Sequence, residues 1–293
     1  MVYNNHLGID LHIHSSASDG SLSPAAILEN ALKLNLAAIA ITDHDSIDGS
    51  QEALRSGIPA SLRFLTGVEI SAAYPPFFPG SGSFHILGYG IRLEDPGLNQ
   101  TLTKLQKVRK NRNPKIVKRL NELGFLISLK DVQQIVDEGQ IGRPHIALTL
   151  KQKGYVASID EAFEKLLGAH KPAYIEKERL GCKETIEMIR AAGGIAALAH
   201  PGLLDIADKS QLETLIQNLI NIGMGAIEVY YPQHTAEQTE QFAHLAKQYD
   251  LLMTGGTDFH GALTPEIRMG SGNGNLFVPY QIYDALMGAL SKV

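Results

Sequence analysis

Residues Asp10-Leu11-His12-Ile13-His14 set two imidazoles and a carboxylate at alternate positions of an apolar run. In an extended chain alternate side chains share a face, so Asp10, His12 and His14 point the same way. Converging imidazoles and carboxylates are what a divalent cation requires. Similar groups recur beside other short apolar runs. Asp19 follows in a polar, glycine-containing loop, His44 sits within Thr42-Asp43-His44-Asp45, and Glu69 ends Gly67-Val68-Glu69. His85 opens His85-Ile86-Leu87-Gly88, His200 lies in Ala199-His200-Pro201, and Asp258 and His260 repeat the i, i+2 spacing in Gly256-Thr257-Asp258-Phe259-His260. One strand-end histidine is usually structural, but its repetition along a chain is not explained that way. The mixed His/Asp/Glu set suits Zn²⁺, Mn²⁺ or Fe²⁺ better than Ca²⁺. It exceeds what one ion can use, so two or three ions are expected, with a carboxylate bridging a pair.

The elements that must carry these groups alternate. Apolar, β-suited runs cover 7–13, 36–42, 63–69, 84–90, 195–199, 226–230 and 251–255. Helical patterns cover 25–34, after the capping pair Ser23-Pro24, and later 183–192, 211–222 and 236–249. Such alternation predicts right-handed βαβ units in a parallel sheet or barrel. The stretch 98–167 differs, with helical patterns at 98–123, 128–137, 143–153 and 158–167 and little strand character. It is expected to be a helical insertion subdomain capping the active site, with 1–97 and 168–293 forming the barrel. Residues 74–83, YPPFFPGSGS, form a loop whose aromatics could rim a cleft.

Composition bounds the remainder. The chain has 293 residues, 44% apolar and 19% charged, enough for a large core and incompatible with a disordered chain. A net charge of −5 argues against a protein that coats nucleic acid. Cys182 is the single cysteine, which excludes a disulfide framework or a cysteine-rich zinc module. No apolar run approaches the roughly 18 residues that cross a bilayer, and residues 1–10 lack signal-peptide character. A soluble, cytoplasmic protein without an obligate protein partner is expected.

Taken in order, these clusters resemble the polymerase and histidinol phosphatase (PHP) family of metal-dependent phosphoesterases. The resemblance rests on His12-Ile13-His14, Thr42-Asp43-His44-Asp45, Gly67-Val68-Glu69, His85, Gly142-Arg143-Pro144-His145, Ala199-His200-Pro201 and Asp258-Phe259-His260. The 15–20 loop, the Gly-Arg-Pro-His motif and the helical insertion favour the bacterial branch acting on nucleoside 3′,5′-bisphosphates and short RNA 5′ ends. The resemblance implies an α/β fold, a distorted (β/α)7 TIM-like barrel, with a trinuclear site. It implies a first metal on His12, His14, Glu69 and Asp258, and a second on Glu69, His85 and His145. Asp19, His44 and His260 are left for the third.

Such ions would activate a water as hydroxide and neutralise phosphoryl oxygens in an in-line displacement. Arginine offers a two-pronged fork for phosphate, and Arg143 and then Arg179 are the candidates. His200 is a candidate to bind phosphate or to protonate the leaving oxygen. Asp10, Asp43 and Asp45 are expected to orient imidazoles, whereas His6, His170, His234 and His244 are expected at the surface. Residues 100–121 carry Lys104, Lys107, Arg109, Lys110, Arg112, Lys115, Lys118 and Arg119 without an acidic residue, a local reversal of sign that could guide RNA. The expected activity is phosphomonoester hydrolysis, first of the 3′-phosphate of nucleoside 3′,5′-bisphosphates. The alternatives are a histidinol-phosphate phosphatase, a metal-dependent amidohydrolase on a similar barrel and a non-catalytic metal- or nucleotide-binding module.

Overall fold

A computed structural model describes residues 8–76, 78, 84–135, 141–204, 206 and 208–292. Its strands are β1 (Ile9–Ile13), β2 (Ala38–Ile41), β3 (Arg63–Ala73), β4 (His85–Tyr89), the two-residue β5 (Leu180–Gly181), β6 (Ile195–Leu198), β7 (Ala226–Tyr230) and β8 (Leu252–Gly255). The helices are α1 (Pro24–Lys33), α2 (Asp48–Ser56), α3 (Pro96–Glu122), α4 (Leu129–Gln133), α5 (Arg143–Gln152), α6 (Ile159–Ala162), α7 (Cys182–Ala191), α8 (Lys209–Asn221), α9 (Ala236–Gln248) and α10 (Gln281–Leu290).

Seven strands follow one another in the order β1-β2-β3-β4-β6-β7-β8, and β5 pairs with the end of β3. A parallel bridge from Ile13 to Phe259, just past β8, brings the two outer strands together and nearly closes the sheet into a barrel. The fold is a distorted (β/α)7 TIM-like barrel. Buried small residues, Ala38, Ala40, Ala197 and Ala226, share one apolar cluster with Leu11, Leu87 and Tyr89. Tyr89 is fully buried, and its hydroxyl is satisfied by the Leu11 carbonyl at 3.0 Å.

One strand corrects the expectation of a wholly parallel sheet. β4 runs antiparallel to both β3 and β6. The connection from β3 to β4, residues 74–84, is too short for a parallel crossover of a dozen or more residues. The chain therefore turns back on itself. His85 opens β4 where the other candidate groups end their strands, and the reversal carries it to the same mouth. In the intervening loop Tyr74 stacks on Phe78, with ring centroids 5.9 Å apart, and packs against Phe84. Tyr74 and Phe78 lie against the core rather than rimming a cleft, and Phe77 lies outside the described residues.

Ser23 caps α1 by accepting the Ala26 N–H, with Pro24 at the first helical position. Helix α2, with Ala53 and Leu54 as its only apolar side chains, gives little helical signal, whereas α10 repeats Ile282, Leu286 and Leu290 at helical spacing, a signal the expected helices left out. Residues of α3, α5 and a π-helical turn at Phe163–Leu167 line a cleft together with Asp19, His44, His85 and His260. Leu98, Leu102 and Leu105 of α3 join the barrel's apolar cluster. Beyond Pro114 the same helix turns Ile116, Val117 and Leu120 into a separate cluster with Ile146, Leu150, Leu167 and Ala173. Thus one helix of about 40 Å is packed on the barrel at one end and on the helical layer at the other.

Candidate metal centre

Glu69 is the hub of the barrel mouth. It is buried on β3, and its two carboxylate oxygens face different groups. Oε2 lies 3.5 Å from His12 Nε2, 3.2 Å from His14 Nε2 and 2.8 Å from His44 Nδ1. Oε1 lies 2.7 Å from His85 Nδ1 and 3.1 Å from His200 Nε2. Asp258 Oδ1 completes the first side, 3.4 Å from His12 Nε2 and 3.0 Å from His14 Nε2. Asp19 Oδ1 lies 3.5 Å from His260 Nε2 and 3.7 Å from His14 Nδ1, and Asp19 Oδ2 is 4.0 Å from His44 Nε2. Residues as far apart in the chain as His12 and Asp258 therefore meet at one point.

Glu69 Oε1 is hydrogen-bonded to His85 Nδ1 and His200 Nε2, but the contacts on the Oε2 side and at Asp258 and Asp19 are close without being hydrogen bonds. His12 Nε2, His14 Nε2, His44 Nδ1, Glu69 Oε2, Asp258 Oδ1 and Asp19 Oδ1 are all buried polar atoms with no hydrogen-bond partner. Buried donors and acceptors rarely stay unsatisfied, so a cluster of them aimed at common points fits cation ligands. Three sets have ligand atoms within 4.8 Å of one another: His12, His14, Glu69 and Asp258; His14, Asp19, His44 and His260; and His44, Glu69 and His85. Glu69, His14 and His44 are each shared between two sets.

Partners behind the imidazoles fix which nitrogen faces inward. His260 Nδ1 donates to the Asp258 carbonyl at 2.8 Å, which leaves Nε2 as an acceptor toward Asp19. His12 Nδ1 donates to Glu228 Oε1 at 2.9 Å, freeing Nε2 for the cluster. Glu228 Oε2 also accepts the His200 backbone N–H at 2.7 Å. Glu228 belongs to none of the motifs, yet it is the lone charge in the apolar strand Ala226–Tyr230, which marks it in the sequence.

Electrostatics point the same way. Burial alone would raise the Glu69 carboxyl, but His44, His85 and His12 bring it well below the ordinary carboxylate range. Asp258 is held low in the same manner, by His12 and His260 against the effect of burial. Burial tends to lower His14, yet the carboxylates of Asp258 and Glu69 raise it to about 10. Burial brings His85 down to about 4 despite Glu69 beside it. The pocket thus demands positive charge at the His14 nitrogen, and a cation there displaces a proton.

Several expected positions differ. His145 does not join Glu69 and His85. It sits at the start of α5, where its Nδ1 accepts the Gly142 N–H at 3.0 Å and its ring feels the charges of Asp19 and His260. His200 occupies that corner instead, because β6 lies next to β4 in the sheet, and a left-handed φ of +27° turns its ring inward. The flanking aspartates do not bond to imidazoles. Asp43 accepts from Ser15 N–H (2.8 Å), Ser15 Oγ (2.6 Å) and Ser18 Oγ (2.6 Å), and reaches His14 only through Ser18. Asp45 accepts from Arg109 at 2.9 Å and Lys177 at 2.6 Å. Asp10 binds Thr257 N–H and Oγ1 and the Gly270 N–H, so it anchors the loop that presents Asp258. Close packing there demands Gly256, since a Cβ would collide with the His12 backbone. His234 is part-buried rather than a surface group. Its Nδ1 donates to the Val229 carbonyl and its Nε2 accepts the Gly202 N–H, bracing the turn after His200. His170 and His244 are exposed, and His6 lies outside the described residues.

Beside the cluster a cleft of about 180 Å³ opens, lined by Arg109, Arg112, Arg143 and Lys177 together with His44 and His85. Arg112 donates from Nε to the Ile175 carbonyl at 2.7 Å and lies 5.3 Å from the Tyr174 ring centre, while a buried terminal nitrogen has no partner. Burial, then the neighbouring Arg143, lowers its guanidinium to about 10. Arg143 donates to the Leu167 carbonyl and lies over Phe163. Arg179 is drawn aside, bonded to Tyr174 and paired with Glu176, and does not line the cleft. Among the long basic run, Arg109 and Arg112 turn inward, whereas Lys104, Lys107, Lys110, Lys115 and Lys118 are exposed.

Known proteins share this arrangement of chain. The 3′,5′-nucleoside bisphosphate phosphatase of Chromobacterium violaceum is 32% identical over 253 residues, 86% of this chain and 87% of that one. The 5′-3′ exoribonuclease of Haemophilus influenzae is 33% identical over 251 residues, 86% and 89% of the two chains. A candidate metal-dependent phosphoesterase from Bifidobacterium adolescentis superposes with a TM-score of 0.83 at 29% identity, covering 97% of this chain and 96% of that one. The PHP domain model matches residues 10–254, and the chain belongs to the PHP domain family.

Proposed function

We propose that the protein is a metal-dependent phosphoesterase whose first substrate is a nucleoside 3′,5′-bisphosphate, from which it removes the 3′-phosphate; short RNA 5′ ends are the related substrate. The observation that carries this reading is a shared-ligand cluster of unsatisfied donors opening onto a cleft lined by guanidiniums. Two relatives that match along most of their length are named for nucleotide and RNA hydrolysis.

His12, His14, Glu69 and Asp258 are the ligands for one cation. Asp19, His44 and His260, with His14, serve a second. Glu69, His85 and His200 serve a third, so His200 is assigned as a ligand rather than a proton donor. Mn²⁺, Fe²⁺ and Zn²⁺ all suit this donor set. When bound, such ions acidify a water toward neutrality and offset charge on the phosphoryl oxygens. The chain's own residues do the rest. Arg112 and Arg143 present donors to the phosphate that is not cleaved, and burial strengthens those contacts. Glu228 fixes the His12 tautomer, and Tyr231 donates to Asp258 Oδ2 at 3.0 Å, leaving Oδ1 to face the cluster. Pro144 and Phe163 line the cleft from the helical layer and reduce the water around the reacting phosphate.

Phosphate release by Mn²⁺-loaded protein from adenosine 3′,5′-bisphosphate and from histidinol phosphate, side by side, tests the reading. The bisphosphate should be the better substrate by at least about tenfold in kcat/KM, because only it carries a second phosphate for the guanidiniums. Turnover of histidinol phosphate with none of the bisphosphate overturns the assignment.

A further inference from the structure

The cleft has a second arm. Pro144, Phe163 and His260 line both arms and mark the divide between them. The first arm holds four cationic side chains, whereas the second, about 200 Å³, has no lysine or arginine among its lining residues. Its walls are Tyr231, Pro232, Ile159, Leu263 and Ile267, and Asp258 adjoins it from the cluster. Thr264 also lines this arm, and its buried hydroxyl has no hydrogen-bond partner. At the exposed edge stand Asp160 and Glu266.

An aromatic and apolar wall with one unmet hydroxyl suits a base and its sugar. An acidic edge without a cation repels a phosphate. Resting on the phosphoesterase reading above, we propose that this arm seats the nucleoside carried on the far side of the scissile phosphorus, and that Asp160 and Glu266 limit substrate length by repelling the phosphate that follows. With a 5′-phosphorylated dinucleotide, a water oxygen bonds to phosphorus and the bond from phosphorus to the first 3′ oxygen breaks. That oxygen takes a proton, so the products are two nucleoside 5′-monophosphates and one water is consumed. The first nucleotide's 5′-phosphate lies in the cationic arm and the second nucleoside in the apolar one.

The test compares kcat/KM on the 3′,5′-bisphosphate, a 5′-phosphorylated dinucleotide and the matching trinucleotide. It uses the wild type and the double variant Asp160→Asn, Glu266→Gln, whose positions are exposed. The wild type should prefer dinucleotide to trinucleotide, and the variant should narrow that ratio by at least about threefold. Added salt should narrow it in the wild type as well. A phosphorothioate-linked dinucleotide with 2-aminopurine as its second base should lose fluorescence on binding, as the base meets Tyr231 and Phe163. A length ratio unmoved by the double variant, or fluorescence unchanged on saturation, overturns the proposal. Bisphosphate turnover without those effects sinks the second arm alone. Quenching without bisphosphate turnover sinks the substrate reading of the preceding section and leaves the arm standing.

Discussion

Glu228 shows how much depends on a residue that touches no substrate. One carboxylate holds the His12 ring by its Nδ1 and, through its other oxygen, the backbone of His200, so two rings in the cluster depend on it. Glu228→Gln keeps the shape and loses an acceptor. Its metal affinity should fall by about 10- to 100-fold with the fold retained; a Mn²⁺ titration giving the wild-type affinity would refute that role. At this scale much of the site was legible. His12 and His14 were readable because period-two spacing at a strand end forces convergence, and Glu69 because it is a charge closing an apolar run; Asp258 and His260 share that spacing but lie past β8, where Asp258 has a left-handed φ of +53°. Arg179 was misleading, since it follows a strand-like run yet turns toward Tyr174 and Glu176, whereas His145 stands on α5 beside Asp19 and His260 rather than Glu69 and His85, which spacing alone does not reveal. The charge of Arg112 was visible in the basic run, but which face of α3 turned inward depends on packing across the cleft.

Among the elements, the decisive contact ties the helical layer to the barrel. Asp45 follows His44 in the loop after β2, and its carboxylate holds Arg109 of α3 and Lys177 of the segment before β5. All three side chains are buried, so removing the carboxylate strands two cations. Asp45→Asn should cost about 3 kcal/mol of stability, read from chemical denaturation. The sign with pH follows from Lys177 and Arg109, which overcome burial and hold the Asp45 carboxyl below its ordinary 3.8. Its contribution is present above that ordinary value and disappears as pH falls toward the folded value. The stability gap between wild type and variant should therefore be constant at neutral pH and shrink below about pH 4. A gap that widens in acid contradicts this. Strand positions were legible from apolar runs, but the direction of β4 was not. It depends on how short the connection from β3 is, and His85 reaches the mouth only because β4 is reversed.

For the whole molecule, the arrangement gathers uncompensated polar atoms where seven strands converge and places an excess of guanidinium charge beside them. The acidic chain thus contains a local site of opposite sign, which overall charge conceals. Cations bound only by the folded form stabilise it by mass action. Chelation should lower the melting temperature of the wild type, while an unchanged melting temperature would mean that no ion was held. Reloading at constant pH should release protons, since His14 is otherwise held charged. The central claim is that Glu69 joins adjacent cation sites. Metal content per chain, measured by mass spectrometry after Mn²⁺ loading and desalting, tests it most directly when wild type and Glu69→Ala are compared. The account predicts two to three ions in the wild type and a loss of at least one, together with phosphatase activity, in the variant. Equal ion counts in the two proteins, or none in either, would contradict it.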